Sequence, residues 1–280
     1  ERTPGGDRSG DMGLLAREAS AGIAAFVLEH EPDVVLIMSG MSFHPNSLVY
    51  LRKLGVQAAV VFTESPYNDV QQEAFTAAYP EMLCATQDGG SAVRHGWLHL
   101  PPSFDPEIHR SVPPSDEFAC DVFFVGTGWP ARQALLESVD WTGIDFHLFG
   151  IWPSVTFGTL LFRHVRWTPE GSLLLNNTHI AHAYASAAVN LNINRAGDTP
   201  EDFDRPRDAT VTSSIPQGFS WNPRVVEIAA CGGFLLTDHR PELDALFGYC
   251  EVPTFDLNVP GDLERQIRWW LARPTARREI

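Results

Sequence analysis

The feature that most constrains this chain is an alternation of short, continuous apolar runs with segments of about ten residues at helical spacing, the mark of βαβ units. Asp33–Ser39 (DVVLIMS), Gln57–Thr63 (QAAVVFT) and Glu81–Thr86 (EMLCAT) are the first such runs. Unbroken apolar strands are expected where a parallel sheet is covered on both faces. The segments Met12–His30, Pro45–Leu54 and Val70–Tyr79 carry the helical pattern. In the first of them Leu14, Leu15, Ala19, Ile23, Phe26 and Val27 recur at helical intervals. Five prolines between Pro101 and Pro114 then interrupt the order and read as an interdomain linker. The pattern restarts with strands at Cys120–Gly126, Ile144–Gly150 and Ala187–Asn194, and helices at Ala131–Val139 and Thr178–Ser186. A polar loop, Arg195–Gly218, precedes a helix from Asn222, a strand at Phe234–Leu236, a helix at Pro241–Phe247, a strand near Glu251–Phe255 and a last helix from Asp262. This order predicts an α/β fold of two Rossmann-like domains, residues 1–112 and 113–280, facing each other across a cleft. Ligands are expected at the carboxyl ends of the strands.

Charge narrows the function. The 280 residues carry a formal net charge of −15 and a pI near 5.0, which gives no general attraction for nucleic acid or anionic membrane. Cys84, Cys120, Cys231 and Cys250 are far apart and show neither CxxC nor metal-ligand spacing. A reduced, cytoplasmic protein with buried thiols is the simplest account. No apolar run is long enough to span a bilayer, and no signal peptide is evident. The opening ERTPGGDRSGD is polar and reads as loose.

Several motifs point to an anionic ligand. In NPRVVEIAACGGFLLTD (Asn222–Asp238), Asn222 suits a helix cap and Pro223 the first helical position. Arg224 and Glu227 then share one face near a helix start, whose free N–H groups favour an anion. The alternative is a surface ion pair. VGTGWPA (Val125–Ala131) follows a strand and opens a helix, as a dinucleotide fingerprint does. Such a fingerprint also needs an acid at the end of the next strand to hold a ribose. That strand ends in Gly150, and its acid, Asp145, is at the other end. A nucleoside diphosphate fits better: Gly126, Thr127 and Gly128 let backbone N–H groups approach phosphate, and Arg132 can fork two oxygens. The alternative is a plain tight turn. NLNINR sets Asn190, Asn192 and Asn194 on one strand face, either solvated at an edge or leading Asn194 and Arg195 into the cleft. Glu64, after the second apolar run and before Pro66, is a candidate general base, or else a loop or capping acid. His44 follows the preceding run in the same manner. Trp129 and Trp152 can stack on a base or anchor loops. No P-loop, HExxH, GxSxG or zinc spacing is present, and no metal site is expected.

DVFFVGTGWPARQALLE, AAVNLNINR and NPRVVEIAACGGFLLTDHRPELDALF, in this order, resemble the second half of CgeB-like glycosyltransferases. PDVVLIMSG, VVFTESPY and LPPSFDPEIHR resemble that family's amino-terminal domain and its crossing into the second. The resemblance runs from Gly13 to the end of the chain. It implies a GT-B fold of the family 4 type, transfer from a nucleoside-diphosphate sugar such as a UDP-sugar to an acceptor hydroxyl, and retention at the anomeric carbon. No cofactor beyond the donor is implied. It also implies that the first domain is incomplete at its start. In the broader family, Glu227 matches the second of two spaced glutamates, the one on the donor ribose. The first falls at Phe219, and the family's basic pair is Thr127 and Arg132 here. Arg224 or Arg195 can supply the missing charge. Glu64 and His44 are then the catalytic candidates. Gly126, Thr127, Gly128, Arg132, Asn194, Arg195, Asn222, Arg224 and Glu227 are the donor-binding candidates. The rival reading is a non-catalytic two-lobed protein that binds a nucleotide or nucleotide sugar. Donor sugar, base and acceptor stay open, with glycan, protein and small-molecule acceptors favoured over nucleic acid.

Overall fold

In the computed structural model the apolar runs form two parallel sheets, and the chain divides into two units, Glu1–Pro101 and Pro102–Ile280. The structure describes residues 20, 22–40, 43–168, 171–195, 218–247 and 252–280. The polar opening stretch, residues 12–19 and 21 of the first expected helix, the inner part of the polar loop (196–217) and Cys250 lie outside them.

The first unit starts with helix α1 (22–30). Strands β1 (Val34–Met38), β2 (Gln57–Phe62), β3 (Leu83–Thr86) and β4 (Leu98–His99) then pair in that spatial order. Helices α2 (Pro45–Lys53), α3 (Asp69–Ala78) and α4 (Gly89–His95) link them. Right-handed crossovers that always step to the next strand in one direction return on the same face. Leu48, Leu51 and Phe75 from the helices therefore bury against Ile37, Ala58, Val60 and Phe62. Residues on the opposite face of β1 are open: Val34, Leu36 and Met38 are 51%, 62% and 60% exposed. The unbroken run DVVLIMS is thus not covered on both faces by the described residues, contrary to its expectation. Strand order is the reason. The α4–β4 pair is an addition to the sequence reading. Asp88 Oδ1 caps its helix by accepting the Ser91 N–H at 2.8 Å.

The second unit is wound in both directions. Its strands are β5 (Cys120–Val125), β6 (Phe146–Phe149), β7 (Ala187–Asn192), β8 (Leu235–Asp238) and β9 (Thr254–Phe255), in the order β6-β5-β7-β8-β9. Helices α5 (Pro130–Glu137), α6 (Asn177–Ser186), α7 (Arg224–Ala230), α8 (Leu243–Phe247), α9 (Asp262–Leu271) and α10 (Pro274–Glu279) complete it. Here both faces are covered, as CDVFFV predicts. Val122 and Phe124 pack with Leu136 of α5 and Ile267 of α9. Phe123, between them, packs with Tyr184 of α6 and Ile228 of α7. The proline-rich stretch expected as a linker contributes Ile108 and Val112 to this second core.

Burial pushes the thiols of Cys84 and Cys231 up to about 11 and that of Cys120 to about 12. Burial thus favours the protonated, unreactive thiol at neutral pH in all three.

Candidate functional site

The second sheet reverses direction at β5, which has β6 on one side and β7 on the other. At such a switch point the crossovers leave opposite faces and open a crevice above the strand ends. Gly126–Trp129 leave β5 there, and Asn194 and Arg195 leave β7. The two loops meet: the Arg195 guanidinium carbon is 4.0 Å from the centre of the Trp129 ring, a cation–π contact.

Close packing dictates the glycines of the β5 loop. A Cβ at Gly128 would stand 2.4 Å from the Trp152 ring. At Gly150, where φ is +113°, a Cβ would stand 2.1 Å from the Gly126 carbonyl oxygen. Gly128 is thus needed by Trp152, a neighbour inside the protein, and the N–H groups of Gly126 and Gly128, expected to approach phosphate, instead donate to the Phe149 and Ile151 carbonyls at 3.1 and 2.8 Å. Trp152 is itself a core residue, 6% exposed, with its indole N–H donating to the Phe149 carbonyl at 3.1 Å. Arg132 lies beneath the loop, 5% exposed, and its Nη1 donates to the Thr127 carbonyl at 2.8 Å.

The asparagines of the NLNINR run, two on β7 and one just past its end, are not a solvated edge. β7 is the middle strand, and Asn190, Asn192 and Asn194 are 0%, 0% and 4% exposed. Each ties down a neighbouring element. Asn190 Nδ2 donates to the Tyr184 carbonyl at 2.9 Å. Asn192 Oδ1 accepts from Asn222 Nδ2 at 2.9 Å, and Asn194 Oδ1 accepts from the Asn222 backbone N–H at 2.9 Å. Asp238 anchors the far side, its Oδ1 accepting from the Asn194 backbone at 2.6 Å and its Oδ2 from Arg240 Nε at 3.0 Å. Arg240, 2% exposed, also donates to the carbonyls of Gly218 and Arg195, at 2.7 and 3.1 Å. It therefore clasps both residues that flank the segment 196–217. Asp238 and Arg240 were not singled out from sequence. Their only signal is an acid and a base two apart at a strand end.

The start of α7 departs from expectation. Its leading N–H groups are not free. Asn222 Oδ1 takes the Arg224 N–H at 3.0 Å, the Asn222 carbonyl takes that of Val225, and the Pro223 carbonyl takes those of Val226 and Glu227. The cap that makes this helix possible also uses the groups that would hold an anion. What remains is side chains. Arg224 and Glu227 do not pair with each other. The guanidinium of Arg224 lies against Gly126, with Nη2 3.0 Å from where a Cβ would be. It makes no hydrogen bond or ion pair with any described residue.

Glu227 faces two donors. The Tyr184 hydroxyl donates to its Oε2 at 3.4 Å, and His109 Nε2 is 3.9 Å from its Oε1. Burial, reinforced by the Glu227 carboxylate, raises the Tyr184 phenol above its ordinary range, so it remains a protonated donor. His109 Nδ1 accepts the Asp105 N–H at 3.2 Å, which leaves the proton of a neutral ring on Nε2, toward Glu227. Neither residue was legible as part of a site: Tyr184 is a core aromatic on a helix, and His109 lies in the supposed linker.

All nine donor-binding candidates thus belong to the carboxyl end of the second sheet. The two catalytic candidates belong to the first unit. His44 caps α2, with Nδ1 accepting the Asn46 N–H at 3.2 Å. Glu64 follows β2, half-buried, with its carbonyl accepting the Asn68 N–H at 3.1 Å. Among the described residues no group of three or more His, Cys, Asp or Glu side chains is placed to hold a metal ion. No described helix is long and apolar enough to cross a membrane.

Solved structures share this fold. An N-terminal domain of trehalose-6-phosphate phosphatase from Candida albicans superposes with a TM-score of 0.55 at 9% identity, over 99% of this chain and 72% of that one. A protein described as a UDP-N-acetylglucosamine 2-epimerase from Listeria monocytogenes superposes with a TM-score of 0.53 at 10% identity, over 100% and 75%. A glycotransferase of kitacinnamycin, at a TM-score of 0.46 and 13% identity over 98% and 79%, is too distant to carry an argument. No curated protein matches the sequence. The fold class is therefore α/β with two Rossmann-like units, as in GT-B proteins. The family model described as "Glycosyl transferase-like" matches residues 132–280, more than half of the 280 residues and all of the second unit from Arg132 onward, and the chain belongs to that family.

Proposed function

We propose that the second unit binds a nucleoside-diphosphate sugar and that the protein transfers the sugar to an acceptor hydroxyl. The observation that carries this reading is the Arg224 guanidinium, set against Gly126 at the strand switch point with no bond to any described residue, and the Glu227 carboxylate one turn further along. A guanidinium meets phosphate oxygens in pairs, which suits a diphosphate. Glu227 accepts from the ribose hydroxyls, oriented by Tyr184 and His109. Of the Gly126–Gly128 loop, the Thr127 N–H shares the diphosphate, because those of Gly126 and Gly128 are taken by the Phe149 and Ile151 carbonyls; Arg132 supports that loop through Thr127, and Asn194 and Asn222 fix the start of α7. Arg195 and Trp129 form the neighbouring wall. When the glycosidic bond breaks, the electron pair leaves on the diphosphate, and Arg224 with the loop stabilises the growing charge. Glu64 takes the acceptor proton, with His44 near the same strand ends of the first unit as the second candidate. The finer reading is a CgeB-like, cytoplasmic enzyme that retains anomeric configuration and uses a hexose on UDP.

Phe219, 44% exposed where the resemblance calls for a glutamate, favours a second reading: binding without transfer. Mass detection of released nucleoside diphosphate across a panel of nucleotide sugars and acceptors separates the two. Transfer requires one donor to give acceptor-dependent release. Tight donor binding with no release under any acceptor supports the second reading, and no binding by any donor overturns both.

Glu227→Gln is expected to weaken donor binding by roughly ten- to a hundredfold, the value of about 1.5–3 kcal/mol for a charge-assisted bond. Titration calorimetry with the nucleoside diphosphate measures it, and an unchanged dissociation constant removes Glu227 from the ribose.

A further inference from the structure

The first unit has a cavity of about 310 Å³ at the carboxyl ends of β1 and β2. Phe43, Phe62 and Phe75 form its apolar walls, and His44, Asn68 and Gln72 supply polar groups. The volume matches the lower end of the range for small-molecule sites, enough for one ring.

Gln72 gives the cavity its chemistry. It is 4% exposed on α3, and the Ser65 hydroxyl donates to its Oε1 at 2.7 Å. Its Nε2 is buried and has no hydrogen-bond partner among the described residues. Native interiors leave few polar atoms in that condition, and each calls for an explanation. Turning the amide over does not remove the problem. Ser65 can donate or accept, so one end of the amide stays unmet in either orientation. Asn68, half-buried, adds a second amide. It occupies the N-cap position of α3, yet its side chain makes no capping bond. Purely structural residues would not be arranged this way, since an apolar side chain would fill the site of Gln72 at lower cost.

We propose that this cavity is the acceptor site and takes a pyranose ring that sets a hydroxyl against Gln72, an inference that rests on the transferase reading above. A pyranose has an apolar C–H face and a rim of hydroxyls. The three phenyl rings match the face, and the amides of Gln72 and Asn68 match the rim. A hydroxyl both donates and accepts, so it satisfies the Gln72 amide whichever end it meets. A planar phenol would use the rings but has one hydroxyl for the two amides.

The test titrates the whole protein with methyl α-D-glucopyranoside, methyl α-D-mannopyranoside, methyl β-D-galactopyranoside and, for comparison, p-cresol. Saturation-transfer NMR reads binding, thermal melting reads folding, and nucleoside-diphosphate binding is measured in parallel. At least one pyranoside binds saturably and in preference to p-cresol. Gln72→Met weakens it roughly tenfold or more, the loss expected for a buried hydrogen bond, while the melting temperature holds or rises. Asn68→Ala weakens it with no change in melting, and it decides the matter alone if Gln72→Met fails to fold. The proposal is overturned by no saturable pyranoside binding, by preference for p-cresol, or by variants that bind as wild type does. Nucleotide binding without pyranoside binding removes the acceptor site and leaves the transferase reading standing. Pyranoside binding without nucleotide binding removes the transferase reading, and with it the acceptor role, and leaves only a pyranose-binding cavity.

Discussion

Asp238→Ala is expected to lower the unfolding free energy by about 3–5 kcal/mol, the usual cost of stripping one partner from a buried ion pair. Asp238 and Arg240 are 1% and 2% exposed, so water cannot replace the lost carboxylate. The variant leaves the Arg240 guanidinium with the carbonyls of Gly218 and Arg195 alone. It also leaves the Asn194 N–H without an acceptor, and Asn194 holds Asn222 and so the start of α7. A domain's total stability is about 5–15 kcal/mol, so the loss is a large fraction of it. Urea unfolding measures the effect. Arg240→Met in the Asp238→Ala background should recover part of the loss, because it removes the stranded charge. A single-variant loss below about 1 kcal/mol would falsify the buried-network account, since that is the range of an exposed pair.

What sequence could and could not reveal follows from how far each feature reaches along the chain. CDVFFV was legible because a strand covered on both faces needs an apolar residue at every position. DVVLIMS has the same pattern, yet Val34, Leu36 and Met38 are open in the described residues, because facing is set by strand order and no local pattern reports it. The alternation in NLNINR was legible as one polar face, but its burial was not, since that depends on β7 being central. Asn222 was recognisable as a cap. That its capping would use up the helix N–H groups and leave the Arg224 side chain as the available donor required the coordinates. Tyr184 and His109 meet Glu227 from 43 and 118 positions away, by subtraction of their numbers, and neither stands in a motif. The unmet amide of Gln72 is likewise invisible in sequence, because an unsatisfied group is defined by what surrounds it.

Arg224→Ala should give the opposite signature to Asp238→Ala: little change in stability and a large loss of ligand. The guanidinium makes no hydrogen bond or ion pair with any described residue, so among them its removal deletes only its packing against Gly126. Changes of that kind usually stay within about 0.5 kcal/mol. A bound diphosphate, by contrast, loses two charge-assisted hydrogen bonds at roughly 1.5–3 kcal/mol each, which weakens binding by more than about a hundredfold. Arg224→Lys keeps the charge and loses the fork, so its affinity should fall between the two. A nucleoside monophosphate should lose less than the diphosphate, because it offers fewer oxygens. Calorimetric titration of wild type and both variants with the two nucleotides, beside urea unfolding of each, separates the roles of the two arginines. Arg132 is bonded to Thr127, so Arg132→Lys should disturb folding and binding together. If Arg224→Ala binds the diphosphate within twofold of wild type, the ligand does not meet this guanidinium, and the donor site must be sought elsewhere on the second unit.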